Sequence, residues 1–169
     1  VYSRPTLTDV SGQISSIAVA PGGERVVVAA RGDIFSLPVK EGITYNLTNS
    51  SDANDMQAGW SPDGKYISYV SDKDGEFNIY RDVVTGKERK LIKNLKSYIF
   101  NYKWSPDSKK ILWSEKGNTL NISDVESGSR KIVEKSGIRS MTSYNWSPDS
   151  KYITYVRPEA TMDNIIVYH

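Results

Sequence analysis

The chain has 169 residues, 25% of them charged, with a net charge of +2 and no cysteine. So balanced a charge supplies no field to draw nucleic acid or an anionic membrane, and no apolar run approaches the roughly 18 residues that span a bilayer. Without cysteine there are no disulfides, no thiolate metal ligands and no cysteine nucleophile.

The first predicted element is a strand over Arg4 to Val10. A unit over 11–50 follows, with a corner at Val19-Ala20-Pro21-Gly22-Gly23 and strands at Arg25 to Ala30, Asp33 to Pro38 and Thr44 to Thr48. The next unit, 51–94, opens on Gln57-Ala58-Gly59-Trp60 and breaks at Ser61-Pro62-Asp63-Gly64. There proline pre-sets φ, glycine tolerates positive φ, and the Ser61 and Asp63 side chains can bond back to nearby amides. Tyr66 to Val70 is apolar on both faces, as a strand between two sheets should be. Asp72 to Gly75 turns the chain into a third strand, Phe77 to Val84, and Thr85-Gly86-Lys87 turns it again. The charged fourth strand, Glu88 to Lys93, suits an outer edge that must resist pairing with strangers.

The unit over 95–136 repeats the order, with Trp104-Ser105-Pro106-Asp107 and strands at Ile111 to Ser114, Thr119 to Asp124 and Ser129 to Val133. The last, 137–169, carries Trp146-Ser147-Pro148-Asp149, then Tyr152 to Val156 and Asn164 to Tyr168, with no outer strand after them. Successive tryptophans of the phrase stand 44 and 42 residues apart, and Val19 takes the tryptophan's place 41 residues before Trp60. No apolar stripe at helical spacing persists. Four short strands recurring at about 40 residues are the signature of a β-propeller blade.

The expected fold is therefore all-β, a β-propeller of about four four-stranded blades. Rings typically close with about 4 to 8 blades, so this chain reads as part of a larger ring of about six to eight. Arg4 to Val10 then serves as the outer strand of a preceding blade, and open blade edges invite self-association.

The Trp-Ser-Pro-Asp corners resemble those of TolB-like periplasmic propellers, of prolyl-oligopeptidase-type peptidases and of tricorn protease. Arg31-Gly32-Asp33-Ile34-Phe35-Ser36-Leu37-Pro38-Val39-Lys40-Glu41-Gly42, followed by Asn46-Leu47-Thr48, resembles the opening blade of tricorn's second, seven-bladed propeller. The mild Ala20-Pro21-Gly22-Gly23 corner matches the same place, and the likeness spans Thr6 to Val156. Tricorn's first propeller, its PDZ-like module and its serine-histidine catalytic domains have no counterpart among these residues. The resemblance implies a noncatalytic propeller that gates peptides toward an active site carried elsewhere. TolB-like docking of a protein partner, or the lid of a prolyl-oligopeptidase-like enzyme, are the rival implications. A cytoplasmic location goes with the first, a periplasmic or secreted one with the TolB-like alternative.

A serine peptidase needs a base beside its nucleophile, and the only histidine is the terminal His169. No G-x-S-x-G elbow is present. No catalytic, cofactor or metal-ligating residue is expected. Asp72, Asp74 and Glu76 miss the calcium-loop spacing because Gly75 directly follows Asp74. Asp63, Asp107 and Asp149 recur with the corner and belong to it. The repeat-equivalent aromatics, Tyr66 with Tyr152 and Tyr69 with Trp113 and Tyr155, read as packing between blades rather than as a nucleic-acid platform. The expected partners are peptides or a protein, met at the propeller face or channel, and other domains of a longer chain. Contact loops would be Asn49 to Met56, Asn94 to Phe100, Lys135 to Ser140 and Arg157 to Asp163.

Overall fold

The structure, a computed structural model, describes residues 9, 11–50, 52–74, 78–83, 88–92, 95 and 97–169. Apart from Asp9, the strand expected over Arg4 to Val10 lies outside them.

A single 3-10 turn, Ser11–Gln13, leads into strands that form four antiparallel sheets in chain order. Blade I holds β1 (Ile14–Val19), β2 (Arg25–Ala30), β3 (Asp33–Pro38) and β4 (Tyr45–Asn46). Blade II holds β5 (Met56–Trp60), β6 (Tyr66–Ser71), β7 (Asn78–Val83) and β8 (Glu88–Lys90). Blade III is β9 (Ile99–Trp104), β10 (Lys110–Glu115), β11 (Thr119–Asp124) and β12 (Arg130–Lys135). Blade IV has three strands among the described residues, β13 (Tyr144–Trp146), β14 (Ile153–Arg157) and β15 (Asn164–Tyr168). This is a partial propeller of about four blades.

One register recurs in every blade. Val19 pairs with Val26, Trp60 with Ile67, Trp104 with Ile111 and Trp146 with Ile153. The same turn closes each of these hairpins: Ala20, Ser61, Ser105 and Ser147 each accept the amide three residues on. The worn first corner thus keeps the backbone of the other three without their side chains.

The core is divided into three clusters, each lying between successive blades. Val27, Ala29 and Ile34 meet Ile67 and Tyr69 between blades I and II, and Ile79, Leu91 and Ile92 join Ile111 and Trp113 between II and III. Leu112 and Leu120 join Tyr144, Ile153 and Tyr155 between III and IV. Sheets buried on both faces need strands without a polar side, which is why β6 and β10 are buried along nearly their whole length.

Several expected strands shift at their ends, Ser129–Val133 to Arg130–Lys135 among them, and three depart from expectation for a visible physical reason. The outer strand of blade I shrinks from Thr44–Thr48 to Tyr45–Asn46, because the Thr48 hydroxyl takes the Ile34 amide that a strand carbonyl would have taken. In blade II the outer strand stops at Lys90, since Leu91 and Ile92 are both buried and consecutive burial cannot be met by an alternating edge strand. The inner strand β5 carries a bulge, with Gln57 at φ 55° and the register broken between Met56 and Gly59.

Candidate functional site: corners, junctions and the loop edge

Each hairpin corner is a closed polar unit built from the phrase itself. The Ser61 hydroxyl donates to Asp63 Oδ1 at 2.7 Å and accepts the Tyr66 amide at 2.9 Å. Asp63 Oδ1 also accepts the Lys65 amide. Ser105 with Asp107, and Ser147 with Asp149, repeat these bonds. Partial burial works to raise the Asp63 and Asp107 carboxyls, but the hydroxyl and amide donors outweigh it and hold both below the ordinary aspartate value. The bond from Ser147 leads in lowering Asp149. These carboxylates are spent on the corner, as the repeat implied.

Successive corners are also tied to one another. The amide of Asp63 donates to Ser108 Oγ of the next blade at 3.0 Å, and the amide of Asp107 donates to Ser150 Oγ at 3.0 Å. Ser108 and Ser150 take the place of Gly64, and both hold its left-handed backbone, at φ 61°. Nothing in the sequence pattern marked these serines as anything but turn residues.

The aromatics bridge blades, as their spacing implied. The Trp104 indole N–H donates to Ser68 Oγ at 2.7 Å, and its ring stacks on Tyr66 at 6.3 Å. The Tyr102 hydroxyl donates to the Gln57 carbonyl and contacts Ser68 Oγ, and its burial pushes its pKa up against the lowering effect of the Ser68 contact. The Tyr144 hydroxyl does the same for blades III and IV, reaching the Asn101 carbonyl at 2.7 Å; burial raises its pKa to about 12. Tyr152 departs from the expectation. It is 42% exposed, with its ring against His169, because nothing among the described residues packs beyond blade IV as blade III packs on Tyr66.

The four expected contact loops gather at the edge opposite the corners. Asp55 donates its amide to the Gly32 carbonyl, and the Asn54 amide donates to Asp72 Oδ1, setting loop 49–56 beside two hairpin turns. Lys116 donates to the Tyr98 carbonyl, and Ser136 to that of Asn118. Arg157 to Asp163 is the β14–β15 connection within blade IV, not a link between blades; Arg139 reaches it through an ion pair with Asp163. Of the acidic trio weighed for calcium, Asp72 is engaged with Asn54, Asp74 pairs with Lys90 at 3.0 Å, and Glu76 lies outside the described residues. Among the described residues no group of three His, Cys, Asp or Glu converges on one point, and no helix is long and apolar enough to cross a membrane.

The outward faces of the end blades expose apolar side chains. Ile17 and Val19 are 61% and 59% exposed on blade I, and Ile165 and Val167 78% and 65% on blade IV. Alternation along β1 and β15 puts each pair on the face turned away from the neighbouring blade.

Comparison with known proteins gives a consistent picture. The family described as the tricorn protease second beta propeller domain matches residues 14–169. Dipeptidyl-peptidase 5 of Porphyromonas gingivalis is 27% identical over an alignment of 148 positions that covers 76% of this chain and 21% of that protein. The crystal structure of the tricorn protease superposes with a TM-score of 0.84 at 17% identity, over 99% of this chain and 17% of that one. TolB from Acinetobacter baumannii gives 0.69 at 21% identity, over 92% of this chain and 40% of that one. The chain thus spans about a fifth of the length of the curated relative it matches.

Proposed function

The chain belongs to the family of tricorn protease second β-propeller domains, and we propose on that premise that it is a noncatalytic propeller segment of a serine peptidase. Its role is to gate or filter peptides on their way to a catalytic domain. The observation that carries this reading is the family match over 14–169 on a stack of like blades whose inner strands β1 and β5 run side by side. The pair β1 and β5 is read as part of the wall of a passage, and a passage selects by size without making or breaking bonds. The exposed pairs Ile17 with Val19 and Ile165 with Val167 are read as seams where further blades continue the ring. A cytoplasmic setting goes with this role.

A dipeptidyl-peptidase among the relatives favours a peptidase as the larger protein. It also keeps open the second reading, a lid propeller over a peptidase of the prolyl-oligopeptidase kind. TolB-like docking of a protein at the loop edge, outside the cytoplasm, is the third reading, supported by fold likeness alone.

The test is turnover of fluorogenic peptides by the purified 169-residue chain beside that of the full-length protein. The reading expects hydrolysis only from the full-length protein. Hydrolysis that stays with the isolated chain through successive purification steps would overturn it.

A further inference from the structure

The position five residues before the corner tryptophan is buried in three successive blades, as Asp55, Ile99 and Met141. Ile99 and Met141 suit a core, whereas Asp55, only 2% exposed, carries a carboxyl group. A repeat that breaks its own apolar pattern at a buried place is expected to do so for a reason outside packing. A buried carboxylate is costly unless it is paired or its oxygens are all hydrogen-bonded. Among the described residues Asp55 is neither. Its Oδ2 accepts the Ser50 hydroxyl at 2.8 Å, while Oδ1 has no donor and no ion pair reaches the side chain.

A second carboxylate stands beside it. The Ser50 amide donates to Asp33 Oδ1 at 3.2 Å, so one serine holds both acids. Asp33 also accepts the Thr48 hydroxyl at 3.3 Å and the Asn46 side-chain amide at 3.2 Å. All of these donors are neutral, and among the described residues Asp33 has no ion pair either. The seam between blade I and loop 49–56 therefore brings two acids together with no cationic side chain to answer them.

Further oxygens face the same seam. The Asp55 amide donates to the Gly32 carbonyl at 2.9 Å, which lays the loop on the β2–β3 turn. Gly32, at φ 83°, leaves room there: a Cβ on it would lie 3.4 Å from the Ala53 carbonyl oxygen and 3.6 Å from Asn54 Oδ1. Carboxylates mixed with carbonyl and amide oxygens are the donor set of calcium, which takes about six to eight oxygens at flexible angles. Magnesium asks for a near-ideal octahedron, and the softer metals ask for imidazole or thiolate.

We propose that the seam between the β2–β3 turn of blade I and loop 49–56 is a calcium site. Asp55 is its central ligand and Asp33 the second carboxylate, with the oxygens of Ala53 and Asn54 and water filling the remaining places. The ion supplies the positive charge that the buried Asp55 lacks. It also fastens to blade I one of the loops through which partner contacts are expected.

The test strips the 169-residue chain with EDTA, removes the chelator and titrates calcium chloride, with magnesium chloride at equal concentration as the control. Amide NMR signals of Gly32, Ser50 and Asp55 report the site, and urea unfolding reports its effect on the fold. The expected Kd is on the order of 0.1 mM. Calcium at about 10 mM should then raise the folding equilibrium constant about 100-fold. Asp55→Asn should remove both responses, while Asp74→Asn in the next hairpin turn should keep them. Asp33→Asn is the second variant should Asp55→Asn not fold, and it should weaken binding at least about tenfold. Signals that stay in place at the highest calcium concentration would overturn the proposal, as would an equal response to magnesium. An Asp55 carboxyl carbon that reads protonated at neutral pH with calcium present would overturn it too, since a proton would then answer the burial.

Discussion

The amide of Asp63 in blade II donates to the hydroxyl of Ser108 in blade III at 3.0 Å, and Ser108 holds a left-handed backbone to accept it. A serine at positive φ costs about 1 to 2 kcal/mol that a glycine would not. The bond across the blades contributes about 0.5 to 1.5 kcal/mol in return. Blade II, where Gly64 occupies the same place, has no hydroxyl to offer blade I.

Two substitutions separate the strain from the bond. Ser108→Ala keeps the strain and loses the bond, so it should lower stability by about 1 kcal/mol. Ser108→Gly loses both and should stay within about 0.5 kcal/mol of the parent. Urea unfolding of the pair measures this; equal losses from both would mean the hydroxyl does not couple the blades.

Trp60 offers a complementary case. Its indole N–H is buried without a partner among the described residues, whereas that of Trp104 finds Ser68. The residue in the Ser68 position of blade I is Val27, fully buried and unable to accept. Val27→Thr should supply the missing oxygen. It is expected to cost about 1 kcal/mol less than Val70→Thr, which buries a hydroxyl with no waiting donor. Thermal midpoints that rank the two the other way would contradict this pairing.

Trp104 carries packing, a stack on Tyr66 and a bond to Ser68. Trp104→Ala should therefore destabilise by about 3 to 5 kcal/mol. Trp104→Phe should recover part of that loss, since the ring returns and the bond does not. An unfolding midpoint unchanged by the alanine would mean that the blades do not seal at this tryptophan.

The corner carboxylates set a pH dependence. Asp63, Asp107 and Asp149 titrate below their ordinary value when folded, so the ionised form favours the fold. Their contribution is complete above the unfolded aspartate value, about pH 4, and is lost as pH falls through the lower folded value. Urea midpoints taken from pH 6 downward should drop in that window. Asp107→Asn should flatten the drop, and a slope unchanged by that variant would assign the acid sensitivity elsewhere.

The strand order and the turn chemistry were legible because they are local. A proline-aspartate corner needs only its own residues, and Thr119 to Asp124 and Asn164 to Tyr168 emerge with the expected bounds. What escaped the pattern depends on the neighbouring blade. Ser108 reads as one more turn residue until blade II is set against it. Gln57 bulges while its carbonyl serves Tyr102 of the next blade, and Leu91 with Ile92 leaves the edge strand for a core that blade III completes.

A propeller that filters what reaches a peptidase site, as proposed, must change which substrates are turned over when its passage is narrowed. The direct measurement is the ratio of hydrolysis of an unfolded protein to that of a short peptide, for the full-length protein with and without the bulky substitutions Asn101→Trp and Asn145→Trp at exposed positions of the inner strands β9 and β13. Narrowing the passage should slow the longer substrate selectively while short-peptide turnover holds. An unchanged ratio in correctly folded variants would contradict the filter.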